Sequence, residues 1–244
     1  MGRQAAEGLP GHGAGRLALA VLACALGLSK DAAKMGLSKD AACDLLFWTA
    51  AGGMIGARIF YVILYWDHFA ATPLEIVMIN RGGLAWQGGF AGGILAGFIW
   101  SKQRALPFRQ MLDLAAPYIA LGQAIGRLGC FFNGCCFGRP WRHGIYFPVH
   151  HAHLHPTQLY ESVGLFAIFV LLKLYAAKLA SPTGGPRTQG MVFVAYLWLA
   201  SIERFSVEFF RADHDELRWG LSLFQYVAIV IFIAGIMAFK RFKK

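Results

Sequence analysis

The chain reads as an all-α polytopic membrane protein, and three features of its sequence carry that expectation. Hydrophobic residues make up 57% of the 244 and charged ones 15%. Mean hydropathy is +0.49, and apolar runs long enough to cross a bilayer recur along the whole chain. A soluble domain of this composition would have too little polar surface to cover its core.

Six runs have the length and composition of membrane spans: Asp44 to Trp66, Gly83 to Trp100, Met111 to Phe131, Thr157 to Leu179, Gly190 to Phe210 and Gly220 to Phe239. A seventh, Arg16 to Leu28, is shorter, since Leu17 to Leu28 supplies 12 largely apolar residues against the roughly 17 to 25 of a normal crossing. Arg16 followed by VLAC at Val21 to Cys24 loosely resembles a leader with a lipoprotein cleavage box. A first transmembrane helix suits a polytopic chain better.

Between the first two spans the heptapeptide GLSKDAA occurs twice, at Gly27 to Ala33 and Gly36 to Ala42. It is too short to be an architectural repeat. The third span is crowded with small residues, GGLAWQGGFAGGILAG from Gly82 to Gly97, a composition that lets neighbouring backbones approach closely. The longest polar connection, about Gly129 to Pro156, is too short to fold alone. Residues 1–244 are therefore expected to form a single membrane domain, with the 129–156 loop carrying part of the functional site.

A net charge of +10 would suggest nucleic acid for a soluble protein, but its distribution argues against that partner. If the spans alternate, all nine lysines fall in one set of loops, with Arg104, Arg109, Arg187 and Arg241. Those loops are cytoplasmic by the positive-inside rule, which puts the N-terminus outside and the C-terminus inside if seven spans cross. The opposite set carries arginine without lysine: Arg81, Arg127, Arg139, Arg142, Arg204, Arg211 and Arg218. Planar guanidiniums there suggest binding of an anion, with ordinary headgroup anchoring as the alternative.

The densest candidate is GRLGCFFNGCCFGR, Gly126 to Arg139. It places Arg127 and a glycine-rich polar loop where an apolar helix runs out, at the depth of lipid headgroups. Arg127 and Arg204 are the best pair to hold a phosphate diester, because each guanidinium offers a fork of donors in fixed geometry. Glu208 lies one helical turn beyond Arg204, so an i, i+4 pair would hold that arginine's orientation. Arg211 is a candidate for a headgroup or for support of the pair. Arg58 sits inside the second span, where a charge costs roughly 2.5 to 3.5 kcal/mol on insertion scales, and so requires a partner that the sequence does not identify; it counts among the candidates for binding the lipid substrate. Asn133, Gly134 and Gly138 suit either close approach of backbone donors to an anion or tight-turn packing. His155, Gln158, Tyr160 and Glu161 stand at the mouth of the fifth span as substrate-orienting or loop-anchoring groups. In a helix His155 and Glu161 would lie too far apart in angle to form a dyad.

A rival reading starts from Cys130, Cys135 and Cys136, which share the loop with five histidines, His143, His150, His151, His153 and His155. A metal or thiol-redox function would use them, but their spacing matches no closed zinc pattern, and neighbouring cysteines rarely serve one ion well. A transporter is a third class. It would need an inverted repeat or a matched pair of broken helices, which the sequence lacks.

Several blocks together resemble the prolipoprotein diacylglyceryl transferase family. Beside Gly126 to Arg139 they are GARIFYVILY (Gly56 to Tyr65), GGLAWQGG (Gly82 to Gly89), DLAAP (Asp113 to Pro117), HPTQLYE (His155 to Glu161), RFSVEFFRAD (Arg204 to Asp213) and LSLFQ (Leu221 to Gln225). They follow the family's order and extend from about Leu37 to the C-terminus. The resemblance implies a bacterial inner-membrane enzyme. Its reaction is attack of the lipobox cysteine thiol of a prolipoprotein signal peptide on the glycerol carbon of phosphatidylglycerol, forming a thioether and releasing glycerol 1-phosphate. No metal or soluble cofactor enters that reaction. The expected partners are phosphatidylglycerol, the signal peptide and surrounding membrane lipids, with no nucleic acid. The family's signature arginine falls on Arg127 and its essential late arginine on Arg204.

This chain departs from the family pattern in ways that bear on mechanism. Many members have a histidine where this chain has Gln87, just before Gly88. An amide is no general base, so the expectation shifts to electrostatic activation of the thiol by arginine, with Gln87 as a hydrogen-bonding positioner and Gly88 beside the substrate. Cys130 and Cys135 replace an asparagine and a glutamate of the signature. The family's tyrosine-glycine pair near the first span is also missing, since no tyrosine precedes Trp48.

Overall fold

A computed structural model describes residues 12–34, 38–78, 82–179, 189–212 and 220–243. Its elements in chain order are α1 (His12–Lys34), α2 (Lys39–Leu64), α3 (Trp66–Ala71), α4 (Trp86–Gln103), α5 (Phe108–Phe132), β1 (Pro140–Phe147), β2 (Ala152–Leu154), α6 (Thr157–Leu179), α7 (Met191–Glu208) and α8 (Leu223–Lys243). The protein is mostly helical. Among the described residues seven helices reach 18 residues or more, and each falls on one of the apolar runs. Asp40–Leu64, Thr157–Leu179 and Leu223–Phe242 are long and apolar enough to cross a membrane by length and composition. α1 has 23 residues, well beyond its apolar run. One copy of GLSKDAA lies inside α1, while Ser38 of the other caps α2 by accepting the Ala41 N–H at 3.1 Å. Gly36 and Leu37 of that copy lie outside the described residues.

The chain packs as two compact units, one of Met1–Gly27 with Leu112–Lys244 and the other of Leu28–Met111. In the second unit α2 and α4 meet backbone to backbone. A Cβ at Gly92 would reach within 3.0 Å of the Gly56 Cα, and one at Gly88 would run into the Gly56 carbonyl. Small residues here permit the close helix contact that drives association where water supplies no hydrophobic force.

In the first unit a core of Ala116, Ala120 and Ala124 from α5, Leu165, Ile168 and Leu172 from α6, and Val192 and Tyr196 from α7 holds three helices together. Polar ties fix their register: Ser162 Oγ donates to the Ala124 carbonyl at 2.9 Å, and Tyr196 Oη to Gln123 Oε1 at 3.2 Å. Asp113 on α5 accepts from the Gly190 and Phe193 amides at 2.6 and 2.9 Å. This satisfies donors that the start of α7 would otherwise leave open. α8 begins with a reciprocal cap, in which the Gln225 amide donates to Ser222 Oγ at 3.3 Å and the Ser222 amide to Gln225 Oε1 at 2.9 Å.

The all-α expectation needs one correction. The 129–156 connection contains an antiparallel hairpin of β1 and β2, with Tyr146 opposite His153 and Phe147 opposite Ala152. A connection of that length leaves many backbone donors and acceptors to satisfy, and strand pairing satisfies them.

Candidate active site

The C-terminal end of α5, the N-terminal end of α6, the C-terminal end of α7 and the start of α8 all belong to the first unit, and their polar side chains converge. α6 starts behind Pro156, with Thr157 Oγ1 donating to the Cys136 carbonyl at 2.8 Å and Gln158 Nε2 to the Cys135 carbonyl at 2.5 Å. One turn on, Glu161 falls on the same inward face as Gln158, Leu165, Ile168 and Leu172, all of them buried. A carboxylate so placed must be paired or be very costly.

Glu161 is paired three times. Its Oε2 takes the Nε of Arg127, and its Oε1 lies 3.1 Å from an Arg204 terminal nitrogen and 2.8 Å from one of Arg211. The expected i, i+4 contact is present as well: the other Arg204 terminal nitrogen is 2.8 Å from Glu208 Oε2. Glu208 Oε1 accepts from Ser222 Oγ at 2.5 Å, which joins α8 to the cluster. Among the described residues three guanidiniums thus share two carboxylates. Glu203, next to Arg204, forms no ion pair among the described residues and keeps a buried oxygen without a hydrogen-bond partner.

Burial sorts the three arginines. The Arg211 side chain is 5% exposed, whereas Arg127 keeps 28% and Arg204 keeps 21%. Among the described residues Arg127 pairs with Glu161 through Nε, and its side chain stays partly exposed. Arg204 also lies over the Phe224 ring, 4.9 Å from its centroid. Two partly exposed guanidiniums are thus anchored on one buried carboxylate, which the more deeply buried Arg211 also holds.

Gly138 sits where this anchoring is tightest. Its amide donates to the His155 carbonyl at 2.9 Å, and the next amide, Arg139, to the Phe210 carbonyl at 2.8 Å. A Cβ at Gly138 would meet the Phe210 carbonyl and come within 2.6 Å of the His155 Cβ, so this position admits no side chain. The Asn133 and Gly134 amides likewise donate to the Gly129 and Phe131 carbonyls, both at 3.1 Å. All three amides are engaged by the protein's own carbonyls, which corrects the expectation of backbone donors aimed at an anion and leaves the tight-turn role.

His155 and Tyr160 pair with each other, Nδ1 to Oη at 3.3 Å, and the imidazole stacks on Trp141 at 4.6 Å with the planes 3° apart. They build an aromatic cluster with Phe210 and form no hydrogen bond to Glu161. The sulfurs of Cys130, Cys135 and Cys136 lie within 4.8 Å of one another, and all three are free. The Cys136 thiol is drawn down to about 5, first by its hydrogen bond with Cys130 and then, against the opposing effect of burial, by Arg211. Burial pushes the Cys135 thiol up, and the neighbouring charge of Cys136 adds to this.

Arg58 and Gly88 lie in the other unit. The Arg58 guanidinium donates to five backbone carbonyls: Nε to Ile76 at 2.8 Å, one terminal nitrogen to Gly82 and Gly83 at 2.8 and 2.9 Å, and the other to Glu75 and to Met78 at 3.4 Å. All five of its N–H groups are consumed. The partner missing from the sequence is a set of carbonyls, and Arg58 is a staple for the segment that follows α3, which corrects its assignment to substrate. Gly88 is buried against α2, as described above. The Gln87 side chain lies outside the described residues.

Sequence reasoning gave no role to Ser222 or Gln225, and it underrated Glu161. A signal existed for two of them, since SLFQ at Ser222 to Gln225 has the spacing of a capping box. No local pattern marks a carboxylate that gathers arginines from three separate segments.

The family model described as prolipoprotein diacylglyceryl transferase matches residues 15–241. Among curated proteins, the phosphatidylglycerol–prolipoprotein diacylglyceryl transferase of Finegoldia magna is 38% identical over 201 residues, 82% of this chain and 78% of the relative. The protein of that name from Trichormus variabilis is 40% identical over 184 residues, 70% of this chain and 64% of the relative. The one from Clostridioides difficile is 39% identical over 191 residues, 76% and 72% respectively. With this likeness along most of its length, the chain belongs to the prolipoprotein diacylglyceryl transferase family.

Proposed function

We propose that this chain transfers the diacylglyceryl group of phosphatidylglycerol to the lipobox cysteine of a bacterial prolipoprotein. The observation that supports the mechanism is the anchoring of two partly exposed guanidiniums, Arg127 and Arg204, on the buried Glu161. The terminal nitrogens of Arg127, with the N–H groups that Glu161 and Glu208 leave over on Arg204, hold the phosphate diester. The cysteine sulfur attacks the adjacent glycerol carbon, the carbon–oxygen bond to phosphate breaks, and glycerol 1-phosphate leaves as the thioether forms. Charge develops on the departing phosphate, so cations fixed in advance stabilise the transition state more than the ground state. A free thiol has a pKa near 8.5, and the same positive field favours the attacking thiolate. Gln87 acts as a hydrogen-bonding positioner. Arg211, locked in the network, holds Glu161 in place.

In this reading all seven long helices cross the bacterial inner membrane, with the N-terminus outside and the C-terminus in the cytoplasm. Lysines at the far ends of α6 and α8, Lys178, Lys240 and Lys243, support that orientation. The site then opens at the outer headgroup level, where it admits phospholipid from the bilayer.

The test is incubation of purified protein with labelled phosphatidylglycerol and a lipobox peptide, followed by detection of the thioether. Arg127→Ala and Arg204→Ala should abolish transfer while the protein still inserts, and Gln87→Ala should weaken it. Full activity of Arg127→Ala would overturn the phosphate grip.

A further inference from the structure

Three thiols gather beside the arginine cluster, and the transfer mechanism proposed above does not use them. We propose that Cys130, Cys135 and Cys136 form a site for one monovalent copper ion, additional to the transferase site. Their sulfurs already lie within 4.8 Å of one another, and among the described residues no histidine, aspartate or glutamate ligand atom completes a fourth corner. Structural zinc is bound by four ligands. A set of three thiolates suits a soft monovalent ion instead, because thiolate ligands select Cu(I) and three sulfurs satisfy it.

The histidines nearby in sequence are engaged elsewhere. His150 contacts the Gly134 carbonyl at 2.8 Å, His153 the Gly144 carbonyl at 3.0 Å, and His155 pairs with Tyr160. Adjacent cysteines usually point apart, but Cys136 adopts a left-handed backbone with φ +60, which brings its sulfur to the same side as that of Cys135. That conformation is rare for a side chain of this kind. It is held by the Cys135 and Cys136 carbonyls, which accept from the fully buried Gln158 and Thr157. The Cys135 amide donates back to the Cys130 carbonyl at 3.2 Å. The ligand set is thus arranged before any ion arrives.

Charge and access fit the same ion. Three thiolates around one Cu(I) leave two negative charges, and the Arg211 guanidinium lies against Cys136. Cys135 is exposed and the other two are half-buried, so the ion enters past Cys135 and its other ligands are shielded.

Reduced full-length protein should be titrated without oxygen against Cu(I) held by a coloured chelator. The chain should withdraw one equivalent, and X-ray absorption should show a first shell of sulfur alone, three atoms strong. Cys130→Ser and Cys135→Ser should each weaken binding at least ten-fold, while Cys43→Ser, an exposed thiol outside the cluster, should leave it unchanged. Copper retained by the chelator, nitrogen in the first shell, or equal loss in Cys43→Ser would overturn the proposal. The absorption measurement on the unaltered chain decides even if a variant fails to fold. Because the readout is copper and not lipid transfer, its failure leaves the transferase reading untouched.

Discussion

Arg127 and Arg204 hold opposite oxygens of one buried carboxylate, that of Glu161. Two guanidiniums contributed by α5 and α7 are therefore spaced by a third group on α6, and neither can shift without the other. Glu161→Gln keeps the shape but removes the charge that balances three cations. Breaking a buried ion pair from one side costs about 3–5 kcal/mol. The expected outcome is a transfer rate reduced at least a hundred-fold together with a lower thermal unfolding temperature in detergent. Wild-type transfer by Glu161→Gln would show that the carboxylate does not set the spacing.

Lysine substitution separates the exposed arginines from the locked one. A lysine at 127 keeps the charge but cannot form two parallel bonds to a phosphate. Arg127→Lys should therefore raise the KM for phosphatidylglycerol about ten-fold, roughly 1.4 kcal/mol, with little change in unfolding temperature. Arg211→Lys should do the reverse, because Arg211 is buried between Glu161 and Glu208. Kinetics and melting curves of the two variants side by side check this, and equal effects of both on KM would contradict the division of labour.

The parts of this site that were legible in the sequence are local. Hydropathy located every long helix, and the i, i+4 spacing of Arg204 and Glu208 announced their contact. The need of Arg58 for a partner was also plain from its depth. Its partners were not, because backbone carbonyls carry no residue-type signal and these belong to a segment some 20 residues on. Glu161 was hidden for a related reason: the arginines it gathers stand at positions 127, 204 and 211, and no periodicity links such distances. The cysteine cluster depends on the positive φ at Cys136, which sequence spacing does not reveal.

Ser222 has two duties, capping α8 and donating to Glu208 at 2.5 Å. Ser222→Ala removes both, a hydrogen bond to a charged group worth about 1.5–3 kcal/mol and a cap worth about 0.5–2 kcal/mol. Ser222→Asp tells them apart. Aspartate caps a helix as well as serine, but here it sets a carboxylate against Glu208. The expected order of transfer rates is wild type, then Ser222→Ala, then Ser222→Asp. An aspartate variant as active as the wild type would mean that the cap, and not the Glu208 contact, is what matters.

Arg58→Lys tests the reading of Arg58 as a staple. Lysine keeps the positive charge but has three donors in place of five, so at least two of the carbonyls from Glu75, Ile76, Met78, Gly82 and Gly83 lose their partner. Each buried group left unpaired costs about 1–3 kcal/mol. Because Arg58 is buried and its aliphatic stem has little room to adjust, the loss should appear as a lower unfolding temperature and reduced yield in the membrane. The KM for phosphatidylglycerol in the folded fraction should stay at the wild-type value. A raised KM with unchanged thermal stability would instead return Arg58 to the lipid-binding role that its place inside an apolar span first suggested.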